Sequence, residues 1–422
     1  MATGAPADAT IDDPLTTRDA RYAHPIAFLF LILPFGAMGG YLTVAVAYRL
    51  AQAGLAVDEI AALVAVALIP QTWKFLWAPV VDTTLTRKSW YLLGAAFSAI
   101  GIFLTGALPA TAQAMAALYA VVLISNLAVT FLAMAVESLM VYGTRPDQLG
   151  RASGWFQAGN LGGQGLGGGA GLWMAQTLPA PWMSGAVVGL ACALCSVALL
   201  ALREPPALVR SGSYGRDVGN VLKDLWQVAR SRPGMLALLV VFLPISTGAA
   251  SNLWAAVADD WHASANTVAL VTGVLGGVVS MVGCLFGGYL CDSLDRKKAY
   301  MLFGALQAGC AVAMALAPRT QNVFILFTLT YALITGLSYA AFSAVVLESI
   351  GLGAAATKYN VFASLSNMPI AYMTVIEGWA HTRWNVGGML FAEAIMASAG
   401  LLVFVIASAL LTRRKLPGAR AT

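Results

Sequence analysis

The sequence predicts an all-α integral membrane protein: twelve spanning helices in two pseudo-symmetric six-helix bundles, with both termini on the inner side. Three observations predict it: the apolar composition, polar landmarks that recur at half the chain length, and an alternation of basic charge. The chain is 59% hydrophobic and 10% charged, with a mean hydropathy of +0.77. A soluble domain carries roughly 25% charged residues, so this chain cannot cover itself in water.

The landmarks come in pairs. Asp82 is followed five residues later by Arg87-Lys88, and Asp292 by Lys297-Lys298, with the aspartates 210 residues apart. Glu137-Ser138 recurs as Glu348-Ser349 at an offset of 211, and Arg151 with Asn160 recurs as Lys358 with Asn367 at 207. Repeated halves around a central site are the signature of a secondary transporter. Coincidence among common residues is the rival explanation.

Apolar runs of spanning length cover 26–50, 57–81, 90–108, 112–142, 152–178 and 182–202, then 234–258, 263–289, 299–317, 321–350, 355–379 and 386–411. The expected organisation is a disordered tail over 1–25, one bundle over 26–202, a polar cytoplasmic linker over 203–233, a second bundle over 234–411 and a basic tail over 412–422. With both termini inside, inner segments hold 20 of the 24 Lys and Arg. Outer segments hold only Arg49, Arg319 and Arg383, and Lys74 lies within a helix. A miscounted helix would scramble this alternation, so the reading is N-in and C-in. The bias also accounts for the net charge of +5 and leaves no reason to invoke a nucleic-acid partner.

Residues 1–25 lack a short basic region leading to a cleavage site, and read as a cytoplasmic tail rather than a signal peptide. The five cysteines fall in or at the ends of helices, and Cys192-x-x-Cys195 reads as packing, with no disulfide expected. His24, His262 and His381 stand far apart at helix ends, so no metal, no cofactor and no His-centred acyltransferase site is expected.

Gly159, Gly163, Gly167 and Gly171 recur every four residues in the fifth span; Gly276, Ser280, Cys284 and Gly288 do so in the eighth. Such stripes let helix backbones approach closely, and these two are expected to form part of a sliding seam. The rival, a phosphate-cradling loop, lacks the Gly-Lys-Ser/Thr ending and falls inside a span.

The turn Gly288-Tyr289-Leu290-Cys291-Asp292-Ser293-Leu294-Asp295-Arg296-Lys297-Lys298 resembles the loop signature of the major facilitator superfamily. Ala78-Pro79-Val80-Val81-Asp82 to Arg87-Lys88 is a second copy without the glycine. The resemblance implies that Asp82, Arg87, Asp292, Arg296 and Lys297 latch the cytoplasmic helix ends in one state of a rocking cycle. It also implies that Glu137 and Glu348 pair with Arg151 and Lys358, as in sugar-porter relatives. Trp73-Lys74-Phe75-Leu76-Trp77-Ala78-Pro79-Val80-Val81-Asp82 is similar to a stretch of the AmpG-like permeases, a group that takes in muropeptides and is similar to siderophore permeases and acetyl-CoA transporters.

Superfamily architecture places helices one, four, seven and ten around a central cavity. It implies Tyr41, Tyr48, Asn126, Thr130, Ser246, Asn252, Trp254, Tyr331, Thr335 and Tyr339 as lining candidates, with Asn160, Gln164 and Asn367 from helices five and eleven. Aromatic residues also populate lipid faces and interface belts, which is the rival reading for each. Lys74 is the basic residue deepest inside a span, Arg49 and Lys358 falling near span ends. Asp82 stands two turns away, roughly 12 Å along a straight helix, so Lys74 needs a partner from elsewhere. Glu137 is the nearest acid by depth, and the substrate is the other candidate. Glu377 and Glu393 have no repeat mates and are candidates for coupling a proton.

The expected activity is import of an amphipathic organic solute across a bacterial cytoplasmic membrane by a monomer, driven by an ion gradient. A siderophore chelate is the first expectation for cargo. A peptidoglycan fragment is the alternative, and a non-transporting sensor with the same fold is a second.

Overall fold

A computed structural model of the chain describes residues 22–55, 57–204, 214–352 and 354–413. The expected terminal tails fall largely outside the described residues, at 1–21 and 414–422, and of the expected linker only 205–213 does. Every described element is a helix.

In the first half, α1 (Ile26–Gly40) runs through a π-helical turn, Tyr41–Val46, into α2 (Ala47–Gln52) as one apolar rod. The second expected span breaks: α3 (Val57–Trp73) ends in a 3₁₀ turn, Lys74–Leu76, and resumes as α4 (Ala78–Thr83). Pro79 sits in the first turn of α4, where its missing N–H costs nothing; inside a continuous helix it would leave a carbonyl unpaired. α5 (Arg87–Ala107), α6 (Met115–Gly143), α7 (Leu149–Thr177) and α8 (Pro181–Leu194) follow. Within the expected linker lies α9 (Tyr214–Arg230), an amphipathic helix with Leu222 and Trp226 exposed.

The second half repeats the broken pattern in another place. α10 (Arg232–Phe242) stops early because Pro244 drives Leu243 into extended backbone, and Ser246 and Gly248 then adopt φ of 56° and 71°. The chain returns through a 3₁₀ turn, Ala249–Asn252, to the short α11 (Trp254–Val257). α12 (Ala265–Ala269) leads by a π-helical turn into α13 (Gly276–Ser293), followed by α14 (Arg296–Leu316) and α15 (Gln321–Ile350). α16 (Ala355–Leu365) and α17 (Asn367–Arg413) complete it, and α17 is two helices joined at Trp384 and Asn385, whose backbone is not helical.

Among the described residues, eight helices are long and apolar enough to cross a membrane. The difference from the expected twelve has identifiable causes. The second and seventh spans are broken, the fifth is diluted by glycines and amides, and the last two are counted within Ala355–Leu410.

The apolar core shows how the halves meet. At the end carrying Arg87, Arg151 and Arg296, a single cluster joins both halves, from Phe28 and Val136 through Phe156 to Tyr359 and Phe404. At the other end the cores separate, one around Tyr41 and Val122 and one around Trp254 and Tyr331.

The glycine stripes divide differently from expectation. Gly159, Gly163 and Gly167 face Leu29, Leu33 and Ala37 of α1, and Gly171 faces Tyr41, all within one half. The helix α7 meets α13 through another face: a Cβ on Gly277 would lie 2.6 Å from Gly165 Cα, and one on Gly288 2.7 Å from Gly154 Cα. The period of four marked a close contact correctly, but a helix with glycines on several faces does not announce which neighbour each face meets.

Candidate functional site

Between the halves lies a cavity of ≈ 620 Å³ lined by α1, α3, α6 and α7 on one side and α10, α15, α16 and α17 on the other. The interrupted helices serve it directly. The 3₁₀ turn after α3 delivers Lys74, and the break after α10 delivers Ser246 and Thr247. Irregular backbone at membrane depth is tolerated where it lines a polar cavity.

The floor holds an ion pair. Lys74 Nζ lies 3.7 Å from Glu137 Oε1 and 5.9 Å from the centre of the Phe35 ring. The other Glu137 oxygen accepts from Asn360 Nδ2 on α16, so the pair is tied across the halves. Phe156 and Tyr359 close the floor edge to face, their centroids 6.1 Å apart. Of the two partners expected for Glu137, it pairs with Lys74 and not with Arg151, because the broken α3 turns the lysine inward.

Below the floor, each repeated aspartate caps a helix of the opposite half. Asp292 accepts from Gly150 N at 2.7 Å, Arg151 N at 3.1 Å and Arg151 Nε at 2.7 Å. Asp82 accepts from Ala356 N at 3.3 Å and from Thr357 N and Oγ1, both at 2.8 Å. These amides are the second and third of α7 and of α16, where free N–H groups and the helix dipole favour an anion. Structurally, Arg151 therefore corresponds to Thr357 rather than to Lys358.

The other expected gate residues take different partners. Lys358, 1% exposed, reaches Asp224 of α9 at 3.0 Å and does not pair with Glu348. Glu348 lies 3.5 Å from Arg296, whose other nitrogen donates across the halves to Pro146 O at 2.9 Å. Arg87 is buried beside Asp82 but not bonded to it; its backbone N–H donates to Glu204 at 2.7 Å. Lys297 is half-buried in the same turn.

Of the candidates for lining, Lys74, Asn126, Asn160, Gln164, Asn252, Tyr339 and Asn367 border the cavity. Tyr41, Trp254 and Tyr331 do not. Tyr41 packs between Gly106 and Gly171, and Trp254 stacks edge-on against Tyr331 inside the second half. Glu377 and Glu393 also lie inside that half, away from the cavity. Sequence reasoning missed Gln157, Asn360, Thr357 and Asp224. Gln157 and Asn160 form a bonded pair at 3.1 Å, three residues apart, a spacing that marks one helix face. Asp224 had a signal in the amphipathic pattern of α9. Asn360 and Thr357 had none, because their partners lie over 200 residues away.

The sequence profile of the Major Facilitator Superfamily matches residues 26–373. The chain is 25% identical over 352 residues to the anhydromuropeptide permease of Escherichia coli strain K12, covering 79% of this chain and 70% of that protein. Among solved structures, the Escherichia coli fucose:proton symporter aligns with a TM-score of 0.69 at 14% identity, covering 91% of this chain and 98% of that one. A structure of the fucose transporter in an outward conformation aligns with a TM-score of 0.68 at 16% identity, with the same coverage of 91% and 98%. A human organic anion transporter aligns with a TM-score of 0.65 at 16% identity, covering 90% and 97%.

Proposed function

This chain belongs to the major facilitator superfamily, and on that premise we propose that it imports a peptidoglycan-derived sugar–peptide by alternating access. It is a secondary transporter and a multi-pass membrane protein; the cargo, the direction and the topology are our reading. The observation that carries it is a cavity between the halves that is latched at one end and lined at its mouth by exposed Thr43, Gln164 and Asn252.

The latched end carries Arg87, Lys88, Arg151 and Arg296 to Lys298, and the positive-inside rule turns that end to the cytoplasm. On that topology the conformation is outward-open and ready to load. The transmembrane order is then twelve helices with both termini inside, in the bacterial cytoplasmic membrane.

A volume of ≈ 620 Å³ falls within the range of roughly 300–1,000 Å³ that holds drug-sized organic ligands. Amides and hydroxyls suit sugar hydroxyls and peptide groups, Phe156 and Tyr359 suit a sugar face, and Lys74 suits a carboxylate. The resemblance to a muropeptide permease supports this cargo over the siderophore chelate expected first. The test is uptake by proteoliposomes of a labelled anhydromuropeptide against a ferric siderophore. Accumulation of the first alone is expected. Uptake of the siderophore alone overturns the cargo, and uptake of neither, with a folded protein, favours a sensor.

A further inference from the structure

Two acidic side chains in the second half have no part in the cavity or the latches. Glu377 is fully buried, and neither of its oxygens has a hydrogen-bond partner among the described residues. Glu393, 3% exposed, lies beyond the Trp384–Asn385 break that separates the two segments of α17. One Glu393 oxygen accepts from the Tyr331 hydroxyl, and the other is unpartnered. The charged group that acts on Glu377 is Glu393 itself. From the neighbouring elements, Tyr331 of α15 and Cys310 of α14 face the pair, and neither supplies a positive charge.

Tyr331 links the pair to the cavity wall. Gln307 lies beside its hydroxyl, and Gln307 Oε1 accepts from Ser246. Ser246 also meets Ser338, and both serines line the cavity.

We propose that Glu377 and Glu393 are a proton-binding pair whose occupancy reaches the cavity through reversal of the hydrogen bonds at Tyr331, Gln307, Ser246 and Ser338. Buried carboxylates without a counter-cation are costly, and a proton is the one cation that fits with no coordination shell. The step is simple in its balance. A proton leaves water and forms an O–H bond on a carboxylate oxygen; no other bond breaks and no electron moves. A carboxylate accepts from Tyr331, whereas a carboxylic acid O–H on that oxygen donates to it. The displaced tyrosine proton then meets the Gln307 amide N–H beside it, so the amide turns, and the turn takes its oxygen from Ser246 and releases that hydroxyl at the cavity wall. The proton itself need not travel the chain.

The inference rests on the transporter reading for its purpose, but its test uses no transported solute. Infrared titration of the purified full chain in nanodiscs is expected to show a carboxylic-acid carbonyl band at neutral pH that bleaches at alkaline pH. Glu377→Gln with Glu393→Gln is expected to lose that band. Each single variant is expected to release its last proton at lower pH, because the like-charged neighbour is gone. An unchanged band in the double variant, or no titrating band in the wild type, overturns the proposal. If the double variant does not fold, an unchanged last step in the single variants overturns it.

For the relay, the Thr247→Cys variant is expected to change its labelling rate at the cavity wall several-fold across the same titration. Tyr331→Phe is expected to keep the infrared band and lose that change. Retention of the full change in Tyr331→Phe discards the relay. A wrong cargo assignment would leave both readouts intact.

Discussion

The two latches are built on one plan and differ in what surrounds them. Asp82 and Asp292 each grip the second and third amides of a helix in the opposite half. Four residues before Asp292 stands Gly288, whose backbone crosses that of Gly150 and Gly154. Four residues before Asp82 stands Ala78, packed in a small cluster with Met134 and Ala356. Ala356 occupies in α16 the place that Gly150 occupies in α7. The second copy of the motif therefore has alanine in place of its glycine and alanine in place of the glycine it would face. A motif that looks degraded along the chain is intact across the interface.

The difference in charge matters more. Asp292 is neutralised by Arg151, whose side chain is 43% exposed, so water reaches the pair. Asp82 is 3% exposed and relies on amides and the Thr357 hydroxyl. We expect the latch whose partners are all buried to be the stronger constraint on the closed end.

Removing Asp82 is the largest test of that asymmetry. Asp82→Ala strands two helix-start amides and a hydroxyl, and about 3 kcal/mol of the latched state's advantage should go, close to a hundredfold in population. Distances between spin labels at the closed ends of the two halves should broaden toward open values. An unchanged distribution would place the closing energy elsewhere.

The floor beside the Asp82 latch gives the next effect. Lys74→Ala leaves Glu137 buried without its cation, and about 3 kcal/mol of stability should be lost. Combining it with Glu137→Gln should recover part of the loss in thermal unfolding. A double variant as unstable as the single one would assign Lys74 to substrate rather than to Glu137.

The two faces of α7 separate a moving contact from a fixed one. Gly163→Leu overpacks α1 and should cost the first half about 1–3 kcal/mol in any state. Gly165→Leu should wedge α7 from α13, block transport and shift the spin-label distances with less loss of stability. Identical behaviour of the two variants would show that the seam does not slide.

Asp292→Ala should cost about 1–2 kcal/mol, less than the Asp82 variant, and raising the salt concentration should mimic it in the wild type but not weaken the buried latch. Thermal unfolding at two ionic strengths decides this. Smallest is Glu348→Gln, whose side chain is 40% exposed and 3.5 Å from Arg296; a change within about 0.5 kcal/mol is expected. A loss as large as that of Asp82→Ala would restore Glu348 to the latch.

What the sequence determined by itself follows from one-dimensional pattern. Spanning segments are set by local apolarity, and the half-chain period of Asp82 and Asp292 is visible because both turns repeat the same short grammar. The depth of Lys74 and Glu137 was legible for the same reason, since position along a helix translates into depth. What only the tertiary structure decided is the choice among candidate partners, including which of its two candidates Glu137 takes. Glu137 meets Lys74 and Asn360, Lys358 meets Asp224, and Arg151 meets Asp292, because partners are selected by which helix faces converge. Helix breaks at Pro79 and Pro244 rotate those faces. Convergence is a property of the packed halves, and spacing along one helix carries no record of the neighbour it will meet.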